Sequence, residues 1–582
     1  MIGSLPLAAH ASSSPLSPPA TVVSQAATSL GPGYRSTMMH FGVRVGPQRA
    51  TPCDIVAEYF LPAAVTRPVP AILTTNGFGG SFSDQEDLAK YFSARGYAVL
   101  TYSGLGFGGS SCAIELDDPD WDGAAASQLI SWLGNRPEIV KDGPDDPRVG
   151  MVGGSYGGDV QFSTAAVDSR LDTIVPIITW NDLAYSLTPN NNAADFVHRD
   201  AEPGVLKLGW PTLFFADGMS QPLQHGNPTL TTCPGFDPRV CAAFVESAGL
   251  GYPTRATIDL LRHTSMVSYF SRVRIPTMLL QGEGDTLFTI NEAIANYRAL
   301  QSVGAPVKLV IQSWGHSQGS PAPGEVSYTS TARGYETLLI ADWFAKYLKD
   351  LPVSTGPGVE YFRDWVTYDT KGSASPAYGT APAWPVGTTQ PLHLSGAGDL
   401  VSGAPAATNQ SMINLPGGQV GSFSEISGLQ GSAPFAGIGV VDVPGTFVAY
   451  ATAPLKTSVD SVGIPVARIG LRSAVPAGVD PASDPILFAK LYDVAPDGTV
   501  TLVQRLVSPV RIDDVDHPVT ITLPGVVHRY LSGHRIKLVL ATADVSFSGA
   551  RVPNVLTVTG GTLDLPVVAA AAETTGGPRA TP

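Results

Sequence analysis

A buried apolar strand that runs straight into a G-x-S-x-G turn and then into a helix leaves a chain few folds to choose from. Here Val149, Met151 and Val152 form the apolar run, Gly153-Gly154-Ser155-Tyr156-Gly157 carries the motif, and the helix is expected over about 156–167. A serine on so tight a strand-to-helix turn is strained, and side chains at the neighbouring glycines would collide with the strand and helix beside them. The turn lifts the hydroxyl above a sheet and aims a helix N-terminus at it. The helix dipole and the Tyr156 N–H can then stabilise a negatively charged oxygen, so Ser155 is the expected nucleophile.

The surroundings supply the sheet that such a turn needs. Continuous apolar runs at 97–102 and 149–152 alternate with helical patterns at 84–95 and 121–133, the signature of a mostly parallel sheet with helices on both faces. Further strands are expected at 37–45, 54–61, 69–75, 173–179, 277–281 and 307–312, followed by a long helix over 328–349. Between these elements the rhythm stops, and the Asn/Pro-rich insertion at about 181–272 reads as a helical cap over a pocket. The α/β unit is expected to span 34–354. Beyond it, short β runs at 359–366, 447–452, 486–494, 500–506, 519–523 and 535–542 are separated by Gly/Pro/Ser loops. With the hairpin signal Ala495-Pro496-Asp497-Gly498, they predict an all-β sandwich over 355–568. Residues 1–33, rich in Ser, Ala and Pro, read as a disordered leader and 569–582 as a frayed tail.

Composition narrows the partners. The 35 Lys and Arg against 49 Asp and Glu leave a net charge of −14 with no basic run, which excludes a nucleic-acid partner. No apolar stretch is long enough to span a membrane. The apolar start ends in Ala9-His10-Ala11, which fits either the remnant of a signal peptide or a plain leader. Cys53, Cys112, Cys233 and Cys241 lack zinc-type spacing, and neither a metal nor an organic cofactor is implied. Cys233 and Cys241 enclose a short Pro/Gly segment and suit a loop-closing disulfide in an exported protein; four free thiols in a cytosolic enzyme are the alternative.

A serine hydroxyl needs a base, and on this architecture the chain order is Ser, acid, His. The strand at 277–281 ends in Gly282-Glu283-Gly284-Asp285, which places Asp285 at the C-terminal sheet edge as the acid, with Glu283 as its substitute. The strand at 307–312 ends in Ser313-Trp314-Gly315-His316, so His316 is the base. In the insertion, His198, His225 and His263 could line a pocket. The loop Thr75-Asn76-Gly77-Phe78-Gly79-Gly80 lets a backbone N–H approach a substrate carbonyl, making Phe78 N–H the second oxyanion donor beside Tyr156. The match Gly104-Leu105-Gly106-Phe107-Gly108-Gly109 to a dinucleotide fingerprint is set aside. The following residues are polar and acidic, and the helix starts too late to receive a pyrophosphate.

With these motifs in place, the chain resembles the cocaine-esterase-like and X-prolyl dipeptidyl-peptidase-like serine hydrolases, most specifically at Gly153–Gly158, Gly282–Phe288 and Trp314–Ser317. The resemblance implies an α/β-hydrolase domain with a helical cap and a C-terminal jelly roll, with Ser155 as nucleophile, Asp285 as acid and His316 as base. Well-known members carry a Tyr after the third strand whose hydroxyl helps bind the oxyanion. Phe78 has no hydroxyl, so the two backbone N–H groups would do that work here.

The expectation is an exported serine hydrolase that cleaves a small-molecule ester or a short X-Pro peptide through an acyl-enzyme. An aminopeptidase needs carboxylates for the substrate's α-amino group, and Asp182, Asp195, Asp200, Glu202 and Asp259 are the cap's candidates. A catalytically inert binding protein, using the jelly roll on carbohydrate or a surface, is the alternative.

Overall fold

The computed structural model describes residues 17–193, 202–226, 231–317, 319–330, 333–415, 422–423 and 441–568. Twelve strands form its first sheet. They are β1 (Thr21–Gln25), β2 (Ser29–Gly31), β3 (Tyr34–Val45), β4 (Thr51–Pro62), β5 (Ala71–Thr75), β6 (Ala98–Tyr102), β7 (Val149–Gly154), β8 (Leu171–Ile177), β9 (Thr277–Gly282), β10 (Val307–Gln312), β11 (Val359–Phe362) and β12 (Tyr378–Ala381). The spatial order is β1-β3-β4-β6-β5-β7-β8-β9-β10-β11-β12, with β2 against β3. From β6 to β11 neighbours run parallel, and antiparallel strands flank this centre. Every residue of β5, β6 and β9 is buried, as near-continuous apolar runs covered on both faces require.

Helices supply the cover. On one face α2 (Ala124–Gly134), α3 (Tyr156–Val167) and α8 (Ile290–Ser302) bring Leu129, Trp132, Phe162, Ile294 and Leu300 into one core. On the other, α1 (Glu86–Ser93) and α9 (Tyr335–Lys349) bury Leu88, Phe92, Leu339, Trp343 and Phe344. Each such side chain contributes about 1.5–3 kcal/mol through loss of apolar surface to water, so the sheet is held from both sides.

Three expectations change. Residues 21–25 and 29–31 of the expected leader are strands paired to β3, and Ser17 accepts hydrogen bonds from the side chains of Arg49 and Ser127 on its hydroxyl and from the Ser131 hydroxyl on its carbonyl; residues 1–16, and with them the Ala9-His10-Ala11 pattern, lie outside the described residues. β11 and β12, assigned above to the β domain, extend the first sheet instead, so the boundary at 355 moves beyond Ala381. The helix expected from 328 begins at Tyr335, because Gly334 sits at φ 88°, a left-handed conformation that a helix cannot continue through. The tail at 569–582 lies outside the described residues.

Between β8 and β9 the insertion folds as α4 (Leu183–Leu187), α5 (Gly209–Gln224), α6 (Pro238–Leu250) and α7 (Arg255–His263). Asp182 caps α4 by accepting from Ala184 N and Tyr185 N, Thr254 caps α7, and Gly251 closes α6 in the left-handed region. Downstream, an eleven-stranded, almost wholly antiparallel sheet runs from Thr388–Ser395 to Asn554–Val567 around a second apolar core that includes Leu394, Ile469, Leu491, Leu538 and Leu563. This β domain is fastened to the cap and to α8. Leu208 N donates to Ser546 O (2.9 Å), Ser548 N to Leu206 O (2.8 Å) and Asn291 Nδ2 to Leu523 O (3.1 Å).

Candidate active site

The site begins at the turn between β7 and α3. Ser155 has φ 56° and ψ −119°, the strained geometry the motif foretells, and its own amide is satisfied by Ile177 O at 2.8 Å. The turn is affordable only without side chains around it. A Cβ on Gly157 would lie 2.6 Å from Thr75 O and one on Gly153 2.7 Å from Gly157 O, both backbone atoms that cannot step aside.

His316 follows β10 and Asp285 follows β9, adjacent parallel strands whose C-terminal ends open on the same edge. The three groups form one hydrogen-bonded line. His316 Nε2 stands 2.8 Å from Ser155 Oγ and His316 Nδ1 2.7 Å from Asp285 Oδ2. Asp285 is wholly buried, and its oxygens accept from Leu287 N (2.9 Å) and Phe288 N (3.0 Å) on Oδ1 and from His316 N (3.1 Å) on Oδ2. Gly315 makes the approach possible, since a Cβ there would sit 2.7 Å from Asp285 Oδ2. Phe288 and Trp210 flank the imidazole edge to face, with centroids 5.1 and 5.8 Å away. Glu283, the substitute acid, makes no contact with His316. It is buried beside Asp364 and Glu325, and burial pushes its carboxyl well above the usual range, so it stays neutral.

Several supporting residues escape sequence reasoning. Lys207 donates from Nζ to Thr286 O (2.7 Å) and Leu287 O (2.8 Å), gripping the loop that carries Asp285. Gln281 Nε2 donates to Phe288 O at 2.6 Å, and Trp210 Nε1 to Thr286 Oγ1 at 3.1 Å. A lone lysine inside Val205-Leu206-Lys207-Leu208 was the only local sign of this clamp.

Phe78 and Tyr156, the residues expected to give the oxyanion donors, line the same cavity as Ser155. Tyr156 N is the first amide of α3, and neither it nor Phe78 N donates to any described residue. The β5–α1 loop is brought in by Asn76, which is fully buried, accepts from Gly104 N (3.0 Å) and donates to Gly77 O (2.7 Å). Cβ on Gly77 would be in ordinary contact with Ser155, 3.7 Å from its Cβ. Gly104 to Gly109 form a turn with positive φ at Gly106, Gly108 and Gly109 and no helix, and Phe107 from it packs under Phe78 and Tyr156. The dinucleotide reading is thereby closed.

A cavity of about 110 Å³ opens on Ser155 under the cap. Phe78, Phe214, Phe215, Phe236, Phe244 and Trp180 dominate its wall, with Leu183, Leu187 and Leu261. No charged side chain among the described residues lines it. Of the cap's acidic candidates, Asp182 is buried in an ion pair with Arg262 (2.8 Å), Asp259 pairs with Arg255 on the surface, and Glu202 accepts from Asn192. Asp195, Asp200 and His198 lie outside the described residues. His225 is exposed at the end of α5, and His263 faces Asp118 at 3.3 Å; neither lines the cavity. The Cys233–Cys241 disulfide pins Phe236 to α6, the helix that supplies Val240 and Phe244 to the wall. A second disulfide, Cys53–Cys112, which sequence reasoning did not pair, joins β4 to the loop beyond Gly109.

Behind Tyr156 lies a buried acidic region. Burial pushes Asp117, Asp122 and Asp159 well above the carboxylate range and Glu115 to about 8; on the sheet's far end it lifts Asp172 to about 7. In the unfolded chain these groups release their protons near pH 4. Above that, and up to the folded values, the native state holds protons that the unfolded state has lost, so stability falls as pH rises. The unfolding midpoint is expected to drop steadily between about pH 5 and pH 8. Calorimetry across that range checks it, and a midpoint that is flat or climbs would show these acids to be ionised in the native state.

Comparison with known proteins places this geometry. Residues 53–195 and 253–318 match the family model described as X-Pro dipeptidyl-peptidase (S15 family), and residues 364–575 match the X-Pro dipeptidyl-peptidase C-terminal non-catalytic domain. Two solved structures share the fold over nearly their whole length. An aminopeptidase from a marine sediment Thaumarchaeota archaeon aligns with TM-score 0.64 at 16% identity, over 91% of this chain and 97% of that one. An alpha-amino acid ester hydrolase aligns with TM-score 0.61 at 16% identity, over 92% and 97%. No curated protein matches in sequence. With the catalytic and the C-terminal models of the X-Pro dipeptidyl-peptidases matched in order and together over most of the chain, the chain belongs to the X-Pro dipeptidyl-peptidase-like serine hydrolases and is an enzyme of that group.

Proposed function

We propose that the enzyme hydrolyses uncharged esters with an apolar acyl group through a Ser155–His316–Asp285 triad. His316 Nε2 takes the Ser155 proton as Oγ attacks the carbonyl carbon, and Tyr156 N–H and Phe78 N–H hold the oxyanion. His316 then gives that proton to the departing alkoxide. Water repeats the sequence on the acyl-enzyme, with His316 as base, and regenerates Ser155. Asp285 fixes the tautomer in which Nδ1 bears hydrogen and stabilises the imidazolium that forms at each step. The two disulfides favour an exported enzyme, since such bonds persist in oxidising compartments.

The observation that carries the substrate choice is that no charged side chain lines the wall among the described residues. An X-Pro dipeptide brings a free α-ammonium into the acyl pocket, and burying it without a carboxylate costs several kcal/mol. At about 1.4 kcal/mol per tenfold, that amounts to roughly three decades of kcat/KM. Parallel assays with the p-nitrophenyl ester of an aromatic or branched acid and with Ala-Pro p-nitroanilide should favour the ester by that margin beyond its greater intrinsic reactivity. Efficient anilide cleavage, with kcat/KM near that for the ester, would refute the ester reading and return the enzyme to peptide chemistry.

A further inference from the structure

Directly beneath the loop that carries His316 lie two carboxylic acids that the chemistry above does not use. Glu325 precedes α9 and Glu336 stands in its first turn; they are 0% and 2% exposed. Their hydrogen bonds converge on the two residues ahead of Gly315-His316. Glu325 accepts from Ser313 N (3.1 Å), the Ser313 hydroxyl, Ala322 N (2.6 Å) and Tyr378 OH (2.7 Å). Glu336 accepts from Trp314 Nε1, 3.0 and 3.1 Å from its two oxygens, and lies 3.1 Å from the same Tyr378 hydroxyl.

Counting protons decides the charge state. Glu325 has a donor for each of its four lone-pair directions. Glu336 has one indole N–H and a tyrosine hydroxyl whose single proton already goes to the nearer Glu325. No cation is among the influences on Glu336; burial and then Glu325 push its carboxyl well above the usual range. Among the described residues, the other titratable groups shown to act on the pair are acids and phenols, and the nearby Arg363 guanidinium donates to the carbonyls of Pro376, Ala377 and Tyr378. Glu283 and Tyr368 face Glu325, Tyr328 faces Glu336, and Asp364 lies beyond Glu283. Two adjacent buried charges of one sign are not tolerated, so the pair keeps one proton.

We propose that Glu325 and Glu336 are a one-proton acid pair that positions His316 by holding Ser313 and Trp314, and that loss of this proton in alkali drives the loop off Ser155. A Cβ on Gly282 would lie 2.3 Å from Trp314 O and one on Gly315 2.7 Å from Asp285 Oδ2, so the backbone between Trp314 and the His316–Asp285 pair is packed without slack. The inference rests on the triad reading, and both residues act through His316.

Glutamine at 336 keeps the shape and a neutral donor but has no proton to lose in this range. Hydrolysis of a neutral ester and labelling of Ser155 by a fluorophosphonate are to be followed from about pH 6 to pH 10 in wild type and Glu336→Gln. Expected at pH 7 is activity within about threefold of wild type, while the alkaline limb of both readouts moves up by about one pH unit or more. A limb that stays in place with labelling intact overturns the pair. Absence of labelling in wild type at every pH overturns the triad instead. Should Glu336→Gln not fold, the tryptophan emission that separates wild type from Trp314→Phe decides. It must change with the same midpoint as labelling, and emission that stays constant through the limb refutes the inference.

Discussion

Ser155→Ala is expected to lower kcat by about five to six decades while leaving the unfolding midpoint within a few degrees of wild type. The nucleophile is the one group for which no neighbour can substitute. Alanine removes Oγ and with it the covalent intermediate, yet leaves the two oxyanion amides, the apolar wall and the His316–Asp285 pair in place. Residual hydrolysis therefore reports what positioning and the oxyanion donors achieve alone, about three decades over water in comparable sites. The turn at φ 56° is itself costly for a non-glycine residue, and alanine inherits that cost without the function. The ester assay on both proteins, with wild-type sites counted by fluorophosphonate titration, measures the loss in kcat, and calorimetry measures the midpoint. Activity within about tenfold of wild type would remove Ser155 from the chemistry.

Asp285→Asn should cost about four decades in kcat. An amide offers one acceptor oxygen where the carboxylate offers two. Oδ1 now serves the amides of Leu287 and Phe288, and Oδ2 serves His316 through its backbone N–H and Nδ1. Whichever way asparagine turns, its NH₂ meets donors. If it faces His316, the ring takes the other tautomer, with the proton on Nε2, and can no longer accept from Ser155. If it faces the loop, two buried amides lose their acceptor, at about 1–3 kcal/mol each. The variant is thus expected to be slow and less stable together. A kcat within about a hundredfold of wild type would mean that another acid orients His316.

Much of this site was readable because its chemistry sits on short contiguous segments. The elbow is local, since Val149 to Gly157 specify strand, turn and nucleophile within nine positions. Asp285 and His316 were legible because each ends a continuous apolar strand, and neighbouring parallel strands end on one edge. Lys207, Asn76 and Gln281 were not legible, because each acts on backbone groups that only the folded sheet and cap bring near. The strand at Val359–Phe362 was misplaced for a related reason. Its alternating apolar pattern suits either sheet, and only pairing with β10 decides which one it joins. Thr21–Gln25 was missed because every residue of that edge strand is exposed, so it carries no burial pattern to detect.

The short stretch from Gly204 to Leu208 couples two distant parts of the molecule. On one side it pairs with Ser546–Ser548 and takes the Arg511 guanidinium on Gly204 O; on the other, its lysine reaches the carbonyls of the Asp285 loop. The cap is thus a tie-rod between the β domain and the loop that carries Asp285. A force that moved the β domain against the cap would therefore be felt at the carbonyls of Thr286 and Leu287, next to Asp285.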